Sequence, residues 1–301
     1  MGPTAAGKTD LAVELVQQRA CEIISVDSAQ IYQGMDIGTA KPDAATLAAA
    51  PHHLINICDP LEAYSAARFR TDALALMQQI TARGKVPLLV GGTMMYYKAL
   101  MDGLADLPAS EPLIRGQLEQ DIQDHGLEAL HLRLCAIDPV AGARINAADP
   151  QRITRAMEVF LLSGETLTAL WSKQQQQRLP YQVTSIGVWP PDRADLHQRI
   201  ERRYEIMLQQ GLKYEVQSLM ARADLHLDLP AMRCVGYRQM WQHLAGEYDY
   251  PTMQFKGIVA TRQLAKRQLT WLRSWPDLHT FDSLDVKLTF KVLQLFDRID
   301  Y

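Results

Sequence analysis

The chain has 301 residues, with 31 Lys plus Arg against 34 Asp plus Glu and 48% hydrophobic residues. That length suits one large or two modest domains and a core burying roughly three quarters of the unfolded surface. The formal net charge of −3 excludes a wholesale polycationic coat for nucleic acid but not a local basic face. With no 18-residue apolar run and no basic-then-apolar leader, neither a membrane-spanning helix nor a secretory signal is expected. Four cysteines (Cys21, Cys58, Cys135, Cys234) stand far apart. They suit a reducing cytoplasm rather than a zinc ribbon or a disulfide framework.

The first motif begins at Gly2. Gly2-Pro3-Thr4-Ala5-Ala6-Gly7-Lys8-Thr9 fits G-x-x-x-x-G-K-[ST] at every fixed position. Its glycines permit a tight loop whose N–H groups converge on phosphate oxygens. Lys8 can bridge phosphates, and the Thr9 hydroxyl can ligate Mg²⁺. A helix over about Lys8–Gln18 carries Leu11, Leu15 and Val16 on one face and points its positive end at the same anion. Such a loop ordinarily follows a buried strand, yet only Met1 precedes Gly2 here, so the central strand feeding the loop is expected to be absent. The motif reads as phosphate binding in general, not as ATP binding in particular.

Strand-like runs follow at Glu22–Val26, His53–Ile57 and Val86–Val90. Between the last two, Ser65 caps a helix bearing Phe69, Ala73, Met77 and Ile80 at helical spacing and closing at Gly84. A further helix is expected from about Thr93 to Met101. Strands alternating with helices imply an α/β layer with a parallel sheet. Asp27 stands at the carboxyl end of the first strand, where open α/β sheets bind ligands. It is read as a metal-binding carboxylate, a general base or a helix-capping loop aspartate. Gly91-Gly92-Thr93 ends the Val86–Val90 strand. The glycines admit close approach of a ligand, and Thr93 offers either a hydroxyl or a helix N-cap.

The pattern changes near Leu107-Pro108. From Ser110 to about Leu170 the signals are helical, with starts at Ser110/Pro112, Asp138/Pro139 and Asp149/Pro150 and a stop at Gly164. The polar tract Gln174–Gln177 reads as a loop tip. The α/β layer resumes at Gln182–Val188 and ends with a strand near Leu278–Phe281. The resulting division is 1–108, an inserted helical segment 109–180, and 181–301.

Basic residues gather in several places. Lys256–Trp275 holds Lys256, Arg262, Lys266, Arg267 and Arg273 with no acid, and Trp271 and Trp275 lie nearby. Arg233 and Arg238 form a second group, Arg144, Arg152 and Arg155 a third, and Arg193, Arg199, Arg202 and Arg203 a fourth. Each alone reads as a solvated helix face. Several beside a phosphate loop read as an RNA surface, with cations for phosphates and rings for unpaired bases.

Seven collinear blocks resemble the tRNA dimethylallyltransferases, also called tRNA isopentenyltransferases, of the shorter bacterial form. They are Gly2–Thr9, Asp27–Pro42, Gly91–Leu100, Asp149–Phe160, Leu196–Tyr204, Arg233–Trp241 and Thr261–Arg273. The resemblance implies a P-loop NTPase-like core with an inserted helical tRNA-binding domain. It implies transfer of a dimethylallyl group from its diphosphate to N6 of the adenosine 3′ of the anticodon, in tRNAs reading codons that begin with U. It also implies Mg²⁺ assistance, a monomer and a cytoplasmic location. By resemblance Asp27 is the general base, Thr93 hydrogen-bonds in the reaction channel, and Lys8, Thr9 and the loop amides hold the diphosphate. Arg203 contacts it too, although the helix pattern leaves Arg199 and Arg202 open. The tRNA contacts implied are Asp27, Ser28, Ala29 and Gln30; Thr93; Arg115; Gln151, Arg152, Ile153, Thr154 and Arg155; Arg233, Cys234, Val235, Gly236, Tyr237 and Arg238; and Lys266, Arg267 and Arg273. Competing readings are an adenylate isopentenyltransferase using free nucleotide, a small-molecule P-loop kinase and a non-catalytic RNA-binding protein.

Overall fold

A computed structural model describes residues 1–105, 107–173 and 179–298. The Gln174–Gln177 tract lies outside the described residues. In chain order the elements begin with α1 (Lys8–Gln18), β1 (Cys21–Val26), α2 (Ala44–Ala49), β2 (His52–His53), α3 (Ala66–Ala82), β3 (Val86–Gly91) and α4 (Met94–Asp102). Four helices follow: α5 (Pro112–Ile137), α6 (Pro139–Arg144), α7 (Pro150–Ser163) and α8 (Leu167–Ser172). The chain continues with β4 (Ser185–Trp189), α9 (Arg193–Gln209), α10 (Leu212–Met220), α11 (Tyr237–Leu244), α12 (Tyr250–Arg273), β5 (Leu278–Asp282) and α13 (Leu288–Phe296). They form two compact units, Met1–Leu100 with Pro180–Tyr301, and Met101–Leu179.

The first unit is α/β and, among the described residues, every strand pair in it is parallel, as the alternation of strand and helix implies. The strands lie in two groups, ordered β2-β1-β3 and β4-β5. Met1 runs alongside β4: its amino group donates to the Ile186 carbonyl at 2.6 Å, and Val188 N–H donates to the Met1 carbonyl at 2.9 Å. Leu88 of β3 and Ile186 of β4 pack on one apolar cluster with Leu11, Leu15, Val188 and Val292, so α1 and α13 cover strands of both groups.

The expected strand His53–Ile57 shrinks to His52–His53. Leu54 and Asn56 take the left-handed conformation, φ 62° and 58°, which breaks the ladder. Ile57 and Cys58 N–H then both donate to the Ile31 carbonyl instead, at 2.8 and 3.0 Å. α3 matches its sequence signals: the Ser65 hydroxyl accepts the Arg68 N–H, and Phe69, Ala73, Met77 and Ile80 are buried.

The second unit is wholly helical among its described residues. Asp138 and Asp149 cap α6 and α7 through the N–H groups of Ala141 and Arg152, and Gly164 ends α7 at φ 71°. Its core gathers Leu118, Leu130, Leu134, Ile153, Met157 and Val159. α5 is bent at Gly126, φ 83°, a glycine with open space around it.

Candidate active site

The phosphate loop turns on two left-handed residues, Ala5 (φ 62°) and Gly7 (φ 86°). Gly7 opens α1 with no side-chain cap, so the first N–H groups of the helix stay available to an anion. A Cβ on Gly2 would lie 2.3 Å from the Val188 carbonyl oxygen, which excludes any larger residue there. The Lys8 ammonium folds back and donates to the Pro3 carbonyl at 2.7 Å. Burial, reinforced by the positive charge of Arg203, lowers Lys8 to about 8, against an opposing pull from Asp27.

α9 supplies the neighbouring cations, and its geometry separates the three arginines. Arg199 Nε donates to the Ala5 carbonyl at 2.9 Å. Arg203, one turn on, has its pKa lowered by burial while Asp27 and Asp10 oppose the shift, which places it in the same field as Lys8. Arg202 faces solvent. Spacing of four puts Arg199 and Arg203 on the loop side of the helix.

Register brings the carboxylate and the hydroxyl together. Val26 pairs with Gly91 across β1 and β3, so Asp27 and Gly92-Thr93 leave adjacent strand ends. Asp27 Oδ1 accepts the N–H groups of Ala29 (2.9 Å) and Gln30 (3.3 Å). Among the described residues, no hydrogen bond engages its Oδ2. The Thr93 hydroxyl oxygen accepts Ser28 N–H at 3.0 Å, and Thr93 N–H donates to the Val26 carbonyl at 3.2 Å. The charge of Asp27 is felt at Lys8, Arg203, Tyr96, Tyr97 and Cys234. Burial, with Asp27 adding to it, pushes the Cys234 thiol up to about 12, so this cysteine stays a neutral wall group.

A second carboxylate, unmarked in the sequence, holds the segment after Asp27. Glu215 on α10 accepts the N–H groups of Asp36 (2.8 Å), Ile37 (2.8 Å) and Gly38 (3.1 Å) and the Tyr237 hydroxyl (2.5 Å). Gly38 is required beneath that tyrosine, because a Cβ would come within 2.4 Å of its ring. Gln30 Nε2 donates to the Thr39 and Ala40 carbonyls at 3.4 and 3.2 Å, closing the loop back toward Asp27. The signal available beforehand was weak: an acid at one position of an amphipathic helix.

The remaining expected contacts divide by exposure. In the α/β unit Arg233, Arg238, Lys266, Arg267 and Arg273 face solvent, whereas Val235 is half-buried and Tyr237 is fully buried against Glu215. Gly236 takes φ 93° to start α11. Arg262 is engaged by Glu201 at 3.0 Å, and Trp275 donates to the Ser185 hydroxyl at 3.2 Å, so these two serve the fold. Trp271 stays exposed. In the helical unit Gln151 and Arg152 are exposed and Arg115 is half-buried. Ile153 and Thr154 point into that unit's core, and Arg155 bonds Glu158 (2.8 Å) and the Pro108 carbonyl (2.7 Å). Helical spacing alternates outward and inward positions, so the block Gln151–Arg155 offers a ligand chiefly its first two side chains.

Loop, cations and carboxylate together define an α/β phosphate-loop protein with a carboxylate at the strand end next to the loop. The chain belongs to the IPP transferase family, whose model matches residues 30–275; a second model, for isopentenyl transferase, matches residues 1–56. It is similar to the full-length tRNA isopentenylpyrophosphate transferase of Bacillus halodurans, at 36% identity and TM-score 0.71 over 98% of this chain and 92% of that one. It is similar also to the tRNA delta(2)-isopentenylpyrophosphate transferase of Staphylococcus epidermidis, at 31% identity and TM-score 0.71 over 99% and 98% of the two chains. A eukaryotic dimethylallyltransferase acting on tRNA, 23% identical, shares the fold with TM-score 0.82 over 98% of this chain and 76% of its own.

Proposed function

We propose that the chain transfers a dimethylallyl group from dimethylallyl diphosphate to N6 of the adenosine 3′ of the anticodon, in tRNAs whose anticodons read codons beginning with U. Membership of the IPP transferase family supports this reading. The observation that carries it is the placement of Asp27 at the strand end beside Gly91–Thr93, where Gly92 abuts Gly2 of the phosphate loop.

In the reaction the allylic C1–O bond breaks and the diphosphate leaves with the electron pair. Positive charge develops on carbon and negative charge on the leaving group. Lys8, Arg203 and the loop N–H groups, fixed before the reaction starts, stabilise that negative charge. The N6–C1 bond forms, and the N6 proton passes to Asp27 Oδ2. Thr93 orders the Ser28 backbone that follows Asp27. The adenine must leave its stack to reach a carbon held at the loop.

Among the described residues, no group of three or more His, Cys, Asp or Glu could hold a metal alone. The Thr9 hydroxyl would hold a magnesium ion, which needs few protein ligands and so would fit this sparse donor set. When bound it supplies further neutralisation of the leaving diphosphate.

On this reading Gln151 and Arg152 in the helical unit, and Arg233, Arg238, Lys266, Arg267 and Arg273 in the α/β unit, meet the tRNA backbone. No helix among the described residues is long and apolar enough to cross a membrane. We place the protein in the cytoplasm, where its tRNA is, acting as a monomer. The deciding experiment incubates the protein with labelled dimethylallyl diphosphate and undermodified tRNA, then identifies the digested nucleosides by mass spectrometry. Prenylated adenosine in tRNA is expected. Prenylation of free AMP alone, or RNA binding without turnover, overturns the reading.

Lys266→Ala and Arg267→Ala are expected to weaken tRNA binding while leaving dimethylallyl diphosphate affinity within about twofold. Each lost phosphate contact lowers the slope of log affinity against log salt by about 1. Titrations of tRNA at several salt concentrations check this, and an unchanged slope rejects the contact.

A further inference from the structure

Gln268 lies on α12 directly after the exposed Lys266 and Arg267, but it turns inward. Its Oε1 accepts the Thr4 N–H at 2.8 Å, and its Nε2 donates to the Gly92 carbonyl at 2.9 Å. Neither group belongs to a regular ladder. Thr4 sits inside the phosphate loop. Gly92 lies between β3 and Thr93. One side-chain amide therefore satisfies a backbone donor on the diphosphate side and a backbone acceptor on the proton-acceptor side.

The fit is close. A Cβ on Gly92 would lie 2.3 Å from Gln268 Nε2 and 3.0 Å from the Gly2 carbonyl oxygen. The glycine thus leaves room for the amide and for the loop together. From Gly92 the connection continues through Thr93, whose N–H is held by the Val26 carbonyl and whose hydroxyl holds Ser28, next to Asp27. From Thr4 it continues to Ala5, whose carbonyl is held by Arg199.

Resting on the proposed transfer, we infer that Gln268 is a positioning residue: it sets the distance between the phosphate loop and the Thr93–Asp27 edge. Bond formation between N6 and C1 needs the two atoms at about 3–3.5 Å and in line, and a displacement of ~1 Å costs on the order of 10²-fold in rate. The primary amide supplies an acceptor and a donor at one tip. Glutamate accepts from Thr4 but turns an oxygen toward the Gly92 carbonyl. Methionine fills the volume and makes neither bond.

The test uses the full chain with Gln268→Glu, Gln268→Met and Gln268→Ala. The readouts are kcat, KM for dimethylallyl diphosphate, tRNA Kd, melting temperature and hydrogen exchange at the Thr4 amide. We expect kcat to fall about 10- to 100-fold in all three, with tRNA Kd within about twofold because Lys266 and Arg267 remain. Thr4 amide protection is kept in Gln268→Glu and lost in Gln268→Met. Unchanged kcat in an active wild-type background overturns the inference, as does a loss of tRNA affinity that matches the loss of kcat. If Gln268→Ala fails to fold, the volume-matched Gln268→Met decides. A wild-type protein without tRNA transfer overturns the proposed function instead. In that event the inference still falls if Thr4 exchange is the same in wild type and Gln268→Met.

Discussion

Asp27→Ala is expected to cut the rate of transfer by about 10²- to 10⁴-fold, the usual contribution of a positioned proton acceptor, while tRNA affinity stays within about twofold. The geometry separates two duties of this carboxylate. Oδ1 is occupied by the N–H groups of Ala29 and Gln30, which shape the turn after β1. Oδ2 is the oxygen left for chemistry. Asp27→Asn keeps an acceptor at the Oδ1 position and so keeps the turn, but its second position is an amide that cannot take a proton. Both variants should therefore lose turnover, and only Asp27→Ala should also lower the melting temperature. Single-turnover transfer assays, tRNA titrations and thermal melts resolve the pair. Parallel loss of tRNA binding and turnover in Asp27→Asn would reject the assignment and make Asp27 a tRNA contact.

How much of this was legible beforehand follows from the range of each interaction. The loop Gly2–Thr9 is local, and its glycines and following helix carry their own signal. Asp27 and Thr93 were recognisable because each closes a β-branched or apolar run. Their juxtaposition needs the register Val26↔Gly91, which no local pattern states. The strand at His53–Ile57 failed because Leu54 and Asn56 adopt positive φ, against the preference of a leucine, and the N–H groups of Ile57 and Cys58 turn to the Ile31 carbonyl. Arg199, Arg202 and Arg203 could not be ranked without knowing which helix face meets the loop. Glu215 carries no motif, and Gln268 lies in the block Thr261–Arg273 with nothing local to set it apart from its neighbours. Each acts on backbone groups far away in the chain, and a polar residue on an amphipathic helix looks the same whether its partner is water or a distant N–H. The inward turn of Ile153, Thr154 and Arg155 was concealed for the converse reason: a contiguous block in sequence is split across both faces by helical rotation.

Lys8 gives the second large effect, and it is expected to appear as a pH profile. In the free protein Lys8 titrates near 8, below the 10.5 of an ordinary lysine, because burial and Arg203 disfavour its charge more than Asp27 supports it. A bound diphosphate reverses that balance and raises the pKa. Below pH 8 the site is already charged and its lysine imposes no pH dependence. Above pH 8 each binding event must draw a proton from solvent, so affinity for dimethylallyl diphosphate weakens toward tenfold per pH unit. Calorimetric titrations between pH 7 and 9.5, in buffers of different ionisation enthalpy, read both the weakening and the proton uptake. Lys8→Arg stays charged throughout and should bind with no break near 8; a flat wild-type profile would reject the mechanism. The same shift acts on stability with a fixed sign. Between pH 8 and 10.5 the unfolded chain holds this proton more firmly than the folded one, so the folded state gains as pH rises through that window. Below 8 the buried charge is a standing cost. Lys8→Met removes it, and should melt higher than wild type at pH 7 while losing about 10²–10³ in turnover for want of a fixed cation at the leaving group. A variant that gains stability as it loses function would mark Lys8 as a charge held in place for the diphosphate rather than for the fold.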